Sequence, residues 1–430
     1  MTEVHEGRGS ALTTAHPQTT APQSSLVLLP GSTVATLDEV AARALDVGLR
    51  RIQILAWRDL DDPEAGGSER HAHHVASLWA RAGLDVTLRT SEARDCPSRV
   101  ERDGYHVLRK GHRYSVFPRS ALSGLVGRRG RPDGLVEVWN GMPFFSPLWA
   151  RCPRVVFLHH VHAEMWQMVL RPGRARAGAL LERRIAPPLY RRTRVVTLSE
   201  SSRREIVAML GLRPSRVSIV PPGIDELFTP GGSRSPHPLV VAVGRLVPVK
   251  RFDVLMDALV EVRRSVPDLR ALIVGEGYER ANLEAHRRAV GAEGWLELPG
   301  YMDDEQLLDT YRRAWVVAST SQREGWGMTI SEAGACATPA VVSRIAGHLD
   351  AVEDGVSGLL ADVGVEDSAA GRPPTAFAAS LRSVLTDPVL RARLGRGARR
   401  RARPLSWEAT AAGALDALVD EAVARKRPGR

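Results

Sequence analysis

Two carboxylates at fixed separation are the first residues in this chain that point to chemistry. Glu324 and Glu332 bracket the stretch EGWGMTISEA. The apolar run 314–318 ahead of them has the length of a strand, and Ser-Thr-Ser-Gln at 319–322 ends it. Two glycines around Trp326 then lead into a run that can be helical from Thr329 or Ser331. A Gly-rich strand-to-helix turn lets backbone approach a phosphate closely. The helix start adds unpaired N–H groups and the positive end of a dipole. Glu324 falls in the loop and Glu332 in the first helical turns, a placement that suits one carboxylate near a reacting carbon and another near a sugar hydroxyl. The structural alternative is an ordinary tight turn followed by a solvated helix glutamate, and this stretch alone does not choose between them.

Cations that could face such a site follow a second buried-type strand, PLVVAVG, as Gly244-Arg245-Leu246 and then Lys250-Arg251. Two cations in one strand-to-helix loop can clamp a diphosphate, Arg245 in fork geometry and Lys250 as a point charge. Taken singly, each reads as a surface charge. Nearer the start, strand RIQILAW and a helix with apolar residues at Ala72, Val75, Ala76, Leu78 and Trp79 flank Gly66-Gly67, a βαβ unit with a phosphate-cradle turn. The run Arg154 to Leu158 delivers His159-His160-Val161-His162 at its C-terminal edge, where ligands collect in open α/β sheets. Three histidines can bind a metal, and alternation puts His160 and His162 on one side of an extended segment. No carboxylate or fourth ligand is evident nearby. The other reading has backbone groups satisfying the imidazoles.

These motifs occur in a telling order. S-x-x-E-G-W-G-M-x-x-x-E-A around Glu324 resembles the signature of retaining, nucleotide-sugar-dependent glycosyltransferases of family 4, the glycosyl transferases group 1. P-x-A-G-G-x-E at 63–69 is similar to that family's diphosphate-side loop. His159 to His162 resembles its H-D-x-H loop, with His160 in place of the aspartate. Pro222-Gly223-Ile224-Asp225 with Phe228 and Pro230 resembles the junction into the second domain, where Gly223 would line the nucleotide cleft, and G-R-L-x-x-x-K-R at 244–251 matches closely. The resemblance spans roughly residues 51–425. It implies an α/β protein of the GT-B class, two Rossmann-like domains facing across a cleft.

The resemblance also implies roles. Arg245 and Lys250 would hold the donor diphosphate, helped by Gly66, Gly67, Gly327, Met328 and Thr329. Glu332 would take the ribose hydroxyls, and Tyr301 and Met302 would meet the base through backbone. Glu324 and His159 would contact the donor sugar, with His160 and His162 shaping the acceptor side. The implied reaction moves a hexose-type sugar from a UDP- or GDP-sugar, used as co-substrate, with no tightly bound cofactor or metal. Asp59-Leu60-Asp61 spells the metal-binding Asp-x-Asp of GT-A transferases, but it follows the first strand directly and reads as a solvated loop. Competing readings keep the fold as a sugar-nucleotide epimerase or a phosphorylase, or drop catalysis for a basic module that binds anionic polymer or membrane.

Composition bounds the rest. Residues 1–25 are rich in Thr, Pro, Ser, Gly and Ala and read as a disordered leader. Residues 26–230 read as the acceptor-side domain, 231–237 as a linker and 238–404 as the nucleotide-sugar domain, with a helix at about 406–425 crossing back to the first. Within 26–48 a further helix is expected over 37–47. The three cysteines lie far apart, which excludes a disulfide framework. No run reaches the length of a membrane span, and the N-terminal residues lack signal-peptide order, so a cytoplasmic protein is expected. A net charge of +10 calls for acidic partners. No zinc knuckle, aromatic RNA-binding run or helix-turn-helix pattern supports nucleic acid. Residues 171–192 carry seven arginines against Glu182, with Leu180, Leu181 and Ile185 at helical spacing. That segment reads first as a solvated face. Its alternative is peripheral contact with the inner face of an anionic membrane, which fits a carbohydrate or lipid-linked acceptor.

Overall fold

The computed structural model describes residues 35–62, 64–126, 131–162, 165–166, 171–363 and 374–426. The leader read over 1–25 lies outside the described residues, as do residues 26–34. Two sheets organise the rest, and their strands are numbered in chain order. The first holds β1 Arg51–Leu55, β2 Asp85–Thr90, β3 Arg99–Arg102, β4 Tyr105–Arg109, β5 Gly134–Val138, β6 Arg154–Phe157, β7 Arg194–Thr197 and β8 Val217–Ile219. Its order is β3-β4-β2-β1-β5-β6-β7-β8, parallel throughout except for the β3–β4 pair. The second holds β9 Leu239–Val243, β10 Arg270–Val274, β11 Leu296–Gly300, β12 Val316–Ser319, β13 Ala340–Ser343 and β14 Gly358–Ala361. All its pairings are parallel, in the order β11-β10-β9-β12-β13-β14.

Parallel strands covered by helices on both faces must be apolar throughout, and β9 (LVVAV) and β13 (AVVS) are nearly continuous buried runs for that reason. In both sheets the chain reverses direction at the first strand, with β1 between β2 and β5 and β9 between β10 and β12. Crevices open outside the strand ends at such switch points. The helices Gly67–Arg81 after β1 and Met328–Ala335 after β12 both begin there.

The helix expected over 37–47 forms as Leu37–Asp46, closed by a capping box between Thr36 and Glu39. It packs on the terminal helix Trp407–Lys426. That long helix belongs to the first sheet's core: Ala411, Leu415, Leu418 and Val419 are buried among Val40, Trp79, Val136 and Val155. Trp79 Nε1 donates to the Ala411 carbonyl at 2.9 Å, so the chain's last helix is tied to its second. Gly223, expected at the nucleotide cleft, is packed against the start of the terminal helix. A Cβ there would come within 2.3 Å of Trp407 N, so this glycine admits the backbone crossing of the terminal helix.

The Asp-x-Asp loop is not solvated either. Asp59 has no exposed surface; it accepts from Arg102 Nη1 at 3.0 Å and from Arg109 Nε at 2.5 Å, with His73 Nε2 at 3.1 Å. Asp61 stays half exposed and joins the same two arginines. The loop bends inward because β3 and β4 place Arg102 and Arg109 beneath it, and a buried cation needs a carboxylate partner. Burial raises the Asp59 carboxyl, but the His73 and arginine contacts outweigh that and hold it far below its usual range.

Candidate active site

Both glycine-rich helix starts face one another across the space between the sheets. Gly66 caps Gly67–Arg81, and Glu69 Oε2 accepts from Gly66 N at 2.9 Å, satisfying one backbone donor at the helix start. On the other side Gly327, with φ near +100°, opens Met328–Ala335. A Cβ on Gly67 would stand 3.7 Å from Met328 Sδ, and one on Gly66 would stand 3.2 Å from Arg245 Cζ. Two positive helix ends and a guanidinium therefore meet in one cleft, with glycines leaving the backbone approachable. Thr329 lies in the first turn of the second of these helices.

Arg245 reaches across from the second sheet, where its Nη1 donates to the Glu64 carbonyl at 3.0 Å. Lys250, in the same strand-to-helix connection, pairs through its Nζ with Glu324 Oε1. Ser321 Oγ also donates to that oxygen, at 2.8 Å. Burial raises the Glu324 carboxyl, but Lys250, His348 and the two hydrogen bonds prevail and leave it below its usual value. Glu324 is therefore an ionised carboxylate at neutral pH. Its backbone is fixed across the cleft as well. Ser199 Oγ and Ser202 Oγ donate to the Gly325 carbonyl at 3.2 and 3.3 Å, and Arg323 Nε donates to the Val161 carbonyl at 2.8 Å.

Glu332 is the opposite case. It is 8% exposed, and burial pushes its carboxyl up to about 7, with the Tyr311 hydrogen bond offsetting only part of that rise. One site thus holds one carboxylate kept charged by a lysine and one carboxyl poised between its two states.

The three histidines separate. His159 is buried against His71, ring centroids 4.8 Å apart, and burial pushes its imidazole down to about 3. Its main chain borders the glutamate loop, since a Cβ on Gly325 would lie 2.8 Å from the His159 carbonyl oxygen. His160 and His162 stack at 5.1 Å, on one side of the segment as alternation requires. Burial holds His160 at about 3, and of the three it is the one whose charge is coupled to Glu324 and Lys250. His159, through its main chain and Cβ, and His160, through its charge environment, both border the glutamate loop. The His162 backbone N–H donates to Glu182 Oε1 at 2.9 Å, and Trp166 Nε1 donates to Oε2 at 2.9 Å.

Glu182 explains the arginine-rich segment. The helix Pro172–Leu180 passes into a π-helical turn, Leu181–Ile185, that rotates Glu182 into the interior with no exposed surface. Its sequence signal was being the one acid among seven arginines. The turn leaves Leu180 54% and Ile185 51% exposed. Tyr301 is 66% exposed just past Gly300, and Met302 accepts from Thr310 Oγ1 at 3.4 Å, so both sit on the rim of the second sheet.

The model for glycosyl transferases group 1 matches residues 223–401, and that for glycosyltransferase family 4 matches residues 65–226. Together they span residues 65–401, which hold every strand but β1 and the cleft residues described above apart from Glu64. The chain belongs to the family 4 glycosyltransferases. Relatives within the family include a D-inositol 3-phosphate glycosyltransferase of Kribbella flavida, 33% identical over 51% of this chain and 54% of its own. One of the same name from Segniliparus rotundus is 27% identical over 85% of this chain and 88% of its own. The matched stretch thus spans about half the length of the first of these curated relatives. The fold is GT-B. Sucrose-phosphate synthase from Thermosynechococcus elongatus superimposes with a TM-score of 0.71 at 20% identity, covering 84% of this chain and 96% of that one. Anabaena HepE in complex with UDP and glucose gives 0.64 at 17% identity, covering 87% and 100%. No helix among the described residues is long and apolar enough to cross a membrane.

Proposed function

We propose that this chain moves a hexose-type sugar from a nucleoside-diphosphate sugar to an acceptor hydroxyl with retention of anomeric configuration. The observation that carries the reading is the convergence of Arg245, Lys250 and two glycine-opened helix starts on the space beside Glu324. A leaving diphosphate gathers negative charge as the anomeric C–O bond breaks, and preorganised cations and N–H groups stabilise that charge most where water is excluded. The acceptor oxygen forms the new bond on the same face, and its proton passes to the departing phosphate oxygen. Glu324, ionised beside Lys250, stabilises the oxocarbenium-like centre and orients the sugar. His159, His160 and His162, neutral by burial, offer hydrogen bonds without competing charge. Glu332 takes the ribose hydroxyls, and Tyr301 and Met302 meet the base.

The relatives' names make D-inositol 3-phosphate the first acceptor to test, ahead of a growing glycan or a lipid-linked sugar. The exposed Leu180 and Ile185 among arginines support peripheral contact with an anionic membrane from the cytoplasmic side. Nucleic acid has no place in this reading. Thermal stabilisation by UDP, GDP, ADP and their sugars, wild type beside Arg245→Ala, tests the donor assignment. One nucleotide series should stabilise the wild type and not the variant. No stabilisation by any of them would remove the proposal. The anomeric coupling constant of the product, read by NMR, tests retention.

A further inference from the structure

Tyr311 lies on the helix Asp304–Arg313 with no exposed surface. Its hydroxyl donates to Glu332 Oε2 at 2.9 Å. Among the described residues the other oxygen, Oε1, accepts no hydrogen bond. The ring and the main chain of Tyr311 are each held as well. Phe228, buried on the connector between the sheets, meets the ring edge-on with centroids 5.7 Å apart. Thr338 Oγ1 donates to the Tyr311 carbonyl at 2.6 Å. The phenol thus has a fixed position, and burial together with the neighbouring carboxylate pushes its own ionisation well above the usual value. It remains a donor at every physiological pH.

We propose that Tyr311 is a positioning residue for the donor nucleotide, occupying Glu332 Oε2 so that Oε1 is presented to the ribose hydroxyls. This rests on the reading that Glu332 binds the ribose. A glutamate's terminal torsion is broad, so an unpinned carboxylate would lose rotational freedom each time a ligand bound. Pinning one oxygen removes that cost in advance. The pin also bears on protonation, because a hydrogen bond to the carboxylate favours its charged, accepting form. The charged groups that act on Glu332 are Arg70 on the helix after β1, which favours the carboxylate, and Asp304 and Asp225, which oppose it. Arg70 and Asp304 approach one another to 3.9 Å, so their effects largely offset, and the Tyr311 bond is the main influence left against burial.

The experiment uses Tyr311→Phe, which keeps the ring and its contact with Phe228 and removes the hydroxyl alone. Calorimetric titration compares wild type and variant for UDP, GDP and ADP and for the 2′,3′-dideoxy counterpart of whichever binds. The ribonucleotide should bind the variant about tenfold more weakly, the loss of one hydrogen bond to a charged group. The dideoxynucleotide should bind both proteins within about twofold, because the hydroxyl and the ribose act through the same carboxylate. The midpoint of the pH dependence of ribonucleotide affinity should also move upward in the variant. An equal loss for both nucleotides would mean a structural role for the phenol and overturn the proposal. So would unchanged affinity with an unmoved midpoint. If the wild type binds a ribonucleotide and its dideoxy form equally, the donor reading stands and the Tyr311 role falls. If it binds none, the donor reading itself fails and takes this proposal with it.

Discussion

Replacing Glu332 with glutamine tests the site in the absence of any ligand. The carboxyl is raised from its ordinary 4.5 to about 7 by burial. Below the ordinary value it is protonated in folded and unfolded chains alike and costs nothing. As pH rises through that window, the unfolded chain ionises freely while the folded one resists, so folding loses stability. At 1.36 kcal/mol for each pK unit, the loss is complete just above the folded value and amounts to about 3 kcal/mol. Glutamine does not titrate, and its amide oxygen can still accept from Tyr311. Urea midpoints of the two proteins, measured between about pH 5 and pH 8, give the difference directly, and all other titrating groups cancel from it. The variant's advantage should grow by about 2.5 kcal/mol over that range, the first part of the loss having occurred below pH 5. A difference that stays flat to within about 1 kcal/mol would refute the reasoning, since it would mean that Glu332 is not desolvated. Nucleotide binding should then release a proton near neutral pH, because ribose hydroxyls donate to the ionised form.

Gly347→Ala should slow turnover through the backbone alone. Its φ is near +86° and a Cβ would fall 2.5 Å from the Glu324 carbonyl oxygen, so kcat should drop at least tenfold with a stability loss of about 2 kcal/mol. Wild-type kcat in a folded variant would contradict this. Asp59→Asn leaves the buried Arg109 guanidinium under-compensated and should cost about 3 kcal/mol in urea unfolding, against near neutrality for a solvated loop. Glu182→Gln should loosen the His162 loop and lower kcat more than it weakens nucleotide binding, read from kcat beside the nucleotide Kd. Charge reversal at Arg183 and Arg184 should reduce sedimentation with anionic vesicles and leave nucleotide binding unchanged; equal sedimentation of both proteins would count against membrane contact.

Much of this molecule is legible from its residues alone. Buried parallel strands must be apolar along their whole length, and helices among them must be amphipathic, so the alternation from Arg51 onward announces itself. Glycines at the strand-to-helix turns and the cations after β9 are equally visible, because tight backbone approach and phosphate charge restrict which residue types serve. The sequence also determined the family, through short motifs in order. Other features depended on contacts between residues far apart in the chain. Asp59 looked solvated because the arginines that bury it lie on β3 and β4, more than forty residues away. The crowding of Gly223 against Trp407 is likewise invisible in sequence, because Trp407 belongs to the terminal helix. The inward turn of Glu182 and the opposite shifts of the Glu324 and Glu332 carboxyls were decided only by the tertiary structure. A carboxylate's pKa follows from what surrounds it in space, and Lys250 and Tyr311 reach those two glutamates only once the chain has folded.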